Sequence, residues 1–178
     1  MRKVVLTFGL LAGAVLSVMM LITVPFHDQI GFDKGLIIGY TTMVLAFLMV
    51  FFGVKSYRDN VAGGSVTFGR AFKVGLLITA IACVCYVATW QVISRTFAKD
   101  YLEKYSAYAL EKEKRAGATE AQLAERQKEM AGFAEMYKNP LVNIAFTLLE
   151  PLPVGLLFTL VTAVVVSRRR RGAGTAVP

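Results

Sequence analysis

One carboxylate, Glu150, lies within the last and longest apolar block of this 178-residue chain. Pro151-Leu152-Pro153 follows it directly. A carboxylate at the centre of a membrane span costs about 2.5–3.5 kcal/mol on insertion scales, so its default reading is functional. The two prolines remove backbone N–H donors and leave nearby carbonyls free, which predicts a bent and polar site. If the membrane begins at Leu141, Glu150 lies about 13 Å inside it; if the span begins near Thr147, the residue sits at the interface. Arg95 and Gln91 are the first-choice partners, followed by Lys34 and His27, because all four fall near the outer ends of their apolar blocks. Three roles stay open at this point: a contact that fixes helix packing, an ion or proton relay, or a ligand contact.

The remaining reactive residue types form no constellation. His27 is the only histidine, and no Cys, His or carboxylate cluster with metal spacing surrounds it. It is expected to be a solvated loop residue, the other reading being a pH-sensing partner of Glu150. Cys83 and Cys85 sit two apart in an apolar block, and on a helix they point to different faces. They cannot readily bridge each other and read as small packing residues. Gly63-Gly64-Ser65-Val66-Thr67-Phe68-Gly69-Arg70 lacks the phosphate-loop spacing and its Lys-Ser/Thr pair, and reads as a tight turn and helix cap. No serine or threonine has a base near it in sequence. No catalytic residue, metal ligand or cofactor is therefore assigned, and the chain is not expected to be an enzyme.

The elements that must position Glu150 are long apolar blocks. Hydrophobic residues make up 56% and charged residues 18%, with mean hydropathy +0.55. A soluble domain this small could not cover four such blocks with polar surface. The blocks run over residues 4–24, 35–53, 74–93 and 141–166, each long enough for a helix to cross the hydrocarbon. Gly9, Gly13 and Ser17 recur every four residues, as do Gly35 and Gly39; such small-residue stripes let a neighbouring helix approach closely in lipid. The first block is too long for a signal-peptide core and lacks a cleavage pattern before Pro25.

Residues 95–139 differ in kind, carrying nine basic and eight acidic residues. Phe97, Tyr101, Tyr105 and Tyr108 fall on one helical face. Gly117 interrupts, Thr119 and Gln122 make a capping-box pattern, and Leu123, Met130, Phe133 and Tyr137 line a second face. The pattern predicts an extramembrane helical hairpin, or one bent amphipathic helix, ended by Asn139-Pro140. The fold class is thus all-α, a single four-span membrane domain over residues 1–171 with an outer amphipathic segment, then a disordered tail at 172–178.

The formal charge of +8 does not mark a nucleic-acid binder, since no recognition module is present. The basic residues instead cluster at block ends. Arg2, Lys3, Lys55, Arg58, Arg70 and Lys73 share one side with Arg168, Arg169, Arg170 and Arg171, against the single acid Asp59. The other side has as many basic residues, but they are spread through a long segment rich in acids. The orientation rule weights basic residues in short loops and close to span ends, so the first side, with both termini, is expected to be cytoplasmic. The four consecutive arginines are its strongest determinant.

Gly39-Tyr40, Phe51-Phe52-Gly53-Val54-Lys55-Ser56-Tyr57-Arg58-Asp59, Gly63-Gly64, Thr67-Phe68-Gly69-Arg70-Ala71-Phe72-Lys73-Val74-Gly75 and Glu150-Pro151 with Pro153-Val154-Gly155-Leu156 resemble the bacterial family of unknown function 4199. Its members are small four-span membrane proteins, and the likeness covers nearly the whole chain except the tail. The resemblance implies a bacterial inner membrane and no particular activity. From the residues, the leading expectation is an interaction or structural role through helix packing and the outer segment, with the bilayer, a second copy or another membrane protein as partner. The rival is a small transporter or channel subunit that uses Glu150; a polar cavity facing Glu150 would favour it, and an exposed apolar face on the outer segment would favour the first.

Charge placement generates a topology test. Reporter fusions at Gly64 and after Arg171 should report cytoplasm, and a fusion at Gly117 the opposite side. A cytoplasmic signal at Gly117 would contradict the four-span arrangement.

Overall fold

The computed structural model describes residues 1–168, and every regular element among them is helical. Arg169, Arg170, Arg171 and the tail at 172–178 lie outside the described residues. Helix α1 (Arg2–Thr23) passes through a 3₁₀ turn (Val24–Phe26) and the short α2 (His27–Ile30) into α3 (Phe32–Asn60). Helix α4 (Phe68–Thr96) leads to α5 (Tyr101–Arg115) and α6 (Glu120–Tyr137); α7 (Pro140–Leu149) and α8 (Pro151–Ser167) follow. Four helical stretches, Arg2–Ile30, Phe32–Asn60, Phe68–Thr96 and Pro140–Ser167, are long and apolar enough to cross a membrane. The chain is a multi-pass helical membrane protein with α5 and α6 as an amphipathic segment outside the spans.

Each spanning helix runs past its apolar block. At about 1.5 Å per residue, 29 residues extend some 43 Å, beyond the roughly 30 Å hydrocarbon thickness. Helix α3 continues through Lys55, Arg58 and Asp59 to Asn60, so the stretch between the second and third apolar blocks is mostly helical and the connection shrinks to 61–67. Long basic side chains keep their heads in the headgroup layer while the backbone stays helical. Gly63 and Gly64 then turn the chain with φ of 68° and 87°, values open to glycine at little cost. Thr67 holds the N-cap position of α4 with extended backbone, without a side-chain cap bond.

The spans pack as a four-helix bundle in which α1 and α8 each contact both α3 and α4, and α3 and α4 also touch across the middle. Lipid tails are as apolar as leucine, so association in the bilayer rests on close fit. Glycines supply that fit. A Cβ on Gly9 would stand 2.8 Å from Ile81 Cβ, and one on Gly13 2.6 Å from Cys85 Cβ. Ser17 continues this stripe, its hydroxyl accepting from Thr89 Oγ1 at 2.7 Å. Gly155 leaves no room for a Cβ beside Thr79 and Phe47. Around it, Thr79 Oγ1 donates to Gly155 O at 3.3 Å and shares a 2.9 Å hydrogen bond with Thr159. Phe47, Val50, Ile78 and Val74 are fully buried beside these contacts.

The second stripe behaves differently. Nothing lies within 4 Å of a Cβ built on Gly35 or Gly39, so the expectation that these two pack helices together does not hold within the chain. They sit on the outer half of α3, where the bundle opens.

The contrast gives a stability test. Gly13→Leu should destabilise the bundle by about 1–3 kcal/mol through overpacking, read as earlier thermal loss of the monodisperse peak in detergent. Gly35→Leu should stay within about 0.5 kcal/mol of wild type, as open surface positions do. Equal losses for the two would contradict this packing.

Candidate functional site

The fourth span breaks at Glu150. Helix α7 ends at Leu149 and α8 starts at Pro151, with Glu150 between them at φ −74°, ψ −58°. Pro151 and Pro153 donate no backbone hydrogen bond, so the helix ladder is interrupted where the carboxylate emerges. Below the break, α8 packs on both α3 and α4; above it, α7 packs on α4 and α6 and forms no comparable interface with α3. A cavity of about 720 Å³ fills the resulting gap between the outer halves of α3 and α7.

Glu150 lies on the lining of this cavity. Tyr86 Oη donates to Glu150 Oε2 at 2.6 Å, while no described residue donates to Oε1. Tyr86 is buried, so its ring supports the carboxylate from the bundle side. The expected partners stand elsewhere. Gln91 Nε2 donates to Asn143 Oδ1 at 2.6 Å, and Arg95 donates to Gln91 Oε1 at 3.1 Å. Antiparallel register explains the difference. Asn143 is seven residues outward of Glu150, about 10 Å, and it is Asn143 that meets the outer end of α4. Glu150 lies deeper, at the level of Tyr86. Arg95, Gln91 and Asn143 therefore pin α7 to α4 near the surface, and no described residue gives Glu150 a cation.

The hairpin α5–α6 covers the outer end. Gly117 turns it at φ 91°, and α6 opens with the predicted capping box: Gln122 Oε1 accepts from Thr119 N at 2.9 Å while Thr119 Oγ1 accepts from Gln122 N at 3.4 Å. The hairpin, rather than a bent single helix, is what forms. Its aromatic faces turn onto the bundle. Tyr101 lies edge-on to Trp90 and Phe32, with centroids 5.3 and 5.6 Å away. Tyr105 and Tyr108 also pack on Phe32, at 5.5 and 5.0 Å. From α6, Phe133 meets Phe146 at 5.1 Å, and Tyr137 Oη accepts from Trp90 Nε1 at 2.9 Å. Phe97, expected on the same face as these tyrosines, is 64% exposed.

Ion pairs add to this seating: Lys104 Nζ to Asp28 and Lys112 Nζ to Asp33, each 2.7 Å. Exposed pairs of this kind contribute at most about 1 kcal/mol, so the ring contacts carry more of the docking. Arg126 ties the two hairpin helices together through Glu113 at 3.2 Å.

Electrostatics follow this enclosure. Burial, and then the charge of Glu150, push the Tyr101 phenol up to about 12. Tyr101 therefore stays neutral at physiological pH and lies within range of the carboxylate. Lys104 is pushed up by its bonds to Asp28 and Asp100.

His27 is not the solvated loop residue its position suggests. Its side chain is 12% exposed, with Nδ1 2.8 Å from Val24 O and Nε2 3.0 Å from Asp28 Oδ1. Phe32 and Tyr101 flank the ring at 5.4 and 5.5 Å, because α5 folds across the α1–α3 turn. Cys83 is buried, and Cys85 packs under Gly13, as expected of small packing residues.

Sequence reasoning missed Tyr86, Trp90 and Phe32 as parts of the site. A signal was present: Tyr86 and Trp90 are four apart, hence on one face, and both carry polar tips in an otherwise apolar block. Chemically, the site offers one open carboxylate oxygen, a neighbouring phenol and a ring of aromatic faces. It can accept a hydrogen bond, hold a cation or exchange a proton.

Neither the curated proteins nor the solved structures give a match. The model of the family described as "Protein of unknown function (DUF4199)" matches residues 7–168, from the first turns of α1 to the end of α8, and the chain belongs to that family.

Proposed function

We propose that this protein binds a small molecule in the outer-half cavity, as a carrier or channel-type subunit and not as an enzyme. The carrying observation is that Glu150 opens onto a cavity of about 720 Å³ instead of being closed by a basic partner. Small-molecule sites fall at about 300–1,000 Å³, mostly apolar with a few convergent polar groups, and this cavity has that character.

The interaction reading needs an unpartnered apolar face on the outer segment. Tyr101, Tyr108, Phe133 and Tyr137 instead face the protein's own bundle, which weighs toward the Glu150 reading. The setting we propose is the bacterial inner membrane with both termini in the cytoplasm. Support comes from Arg2, Lys3, Lys55, Arg58, Arg70, Lys73 and Arg168, which belong to the termini and the short α3–α4 connection, as the orientation rule requires. The cavity and its hairpin then face the periplasmic side. Four spans are few for an alternating-access carrier acting alone, so transport would call for a second copy or a partner.

Thiol access tests the cavity without knowledge of the ligand. Met43 and Ala46 are one turn apart on α3 and both buried, but only Met43 lines the cavity. With Cys83 and Cys85 replaced by alanine, a small methanethiosulfonate should modify Met43→Cys at least about tenfold faster than Ala46→Cys, since a core thiol reacts only on local opening. Equal, slow modification of both would overturn the cavity reading.

A further inference from the structure

We propose that the occupant of this cavity is an amphipathic amine, its cationic head at Glu150 and its apolar chain running out beside α3 toward the bilayer. This rests on the reading of the cavity as a ligand site. The charge argument comes first. Glu150 has one oxygen held by Tyr86 and the other open. The cavity's one arginine, Arg126, is at the hairpin end and engaged by Glu113 and Glu129. An anionic head would meet an uncompensated carboxylate. A neutral one would give Oε1 an ordinary hydrogen bond at most, whereas an ammonium gives a charge-assisted one.

The walls point the same way. Tyr86, Trp90, Tyr101, Tyr137 and Phe146 all line the cavity around Glu150. Aromatic faces attract organic cations, and cages of them are a recurrent way of holding substituted ammonium groups. The open side supplies the path for a chain. Gly35 and Gly39 place no side chain in the gap, and their neighbours Leu36 and Tyr40 are 61% and 46% exposed on the outer half of α3. An alkyl chain leaving Glu150 past these glycines would meet lipid.

Trp90 is the only tryptophan, so its emission reports on this cavity alone. The full-length protein in phosphatidylglycerol nanodiscs would be titrated with dodecylamine, dodecanol and dodecanoate. Saturable changes in Trp90 emission are expected, with dodecylamine half-saturating at a concentration about tenfold below dodecanol, in keeping with one cation–aromatic and ion-pair contact. E150Q, which keeps the side-chain shape, should bring dodecylamine to the level of dodecanol. If that variant does not fold, the wild-type titrations are repeated in the uncharged detergent dodecylmaltoside, where no anionic surface concentrates the amine.

Equal half-saturation by all three compounds, or a preference for dodecanoate, would overturn the amine assignment and leave the cavity reading standing. No saturable response to any of them would overturn both. Adding phosphatidylethanolamine to the nanodisc separates two sources of the same chemistry. Lost dodecylamine binding would identify a lipid headgroup as occupant, and unchanged binding a free amphiphile.

Discussion

A carboxylate carried into a membrane span must be given polar company or a water-accessible space, and the outer half of this protein is arranged around that demand. Glu150 sits where Pro151 stops the helix ladder of the fourth span. On either side of the break α7 and α8 take different neighbours. Below the break the bundle is closed by Gly155 against Thr79 and Phe47. Above it the bundle is open, and among the described residues Tyr86 alone donates to the carboxylate. A carboxylate closed inside the bundle without a cation would cost several kcal/mol.

The hairpin follows from the same opening. Two helices of 15 and 18 residues are marginal alone in water. They persist because their aromatic faces find surface that the open bundle exposes: Phe32 and His27 at the α1–α3 turn, Trp90 at the end of α4, and Phe146 on α7. Trp90 serves both sides, packing on Tyr101 and donating to Tyr137. The cover and the cavity are thus mutually dependent, since each supplies apolar area to the other.

Much of this was legible in the sequence because it rests on local chemistry. Four apolar blocks of 19 to 26 residues, uncharged but for Glu150, have no other stable fate than spanning helices. The Thr119–Gln122 box, the interruption at Gly117 and the end of the outer segment at Asn139-Pro140 were readable from residue type and spacing. The Gly9-Gly13-Ser17 stripe was correct for the same reason. What escaped depends on register between distant helices. Gly35 and Gly39 have the same spacing as Gly9 and Gly13, yet they face an opening, and nothing in their own sequence tells the two cases apart. Likewise Arg95 and Gln91 are the more polar candidates for Glu150, but two helical turns of depth put Gln91 on Asn143 and leave Arg95 on Gln91 instead. His27 reads as a loop residue until α5 is folded over it.

The central claim is that Glu150 opens onto an apolar cavity. Reaction with dicyclohexylcarbodiimide, which enters apolar sites and modifies carboxyl groups there, tests this most directly when adducts are mapped by mass spectrometry. The account predicts modification at Glu150 in the wild-type protein and its loss in Gly39→Trp, where an indole would fill the gap beside α3. A Glu150 that stays unmodified, or one that reacts equally in the Gly39→Trp variant, would contradict it.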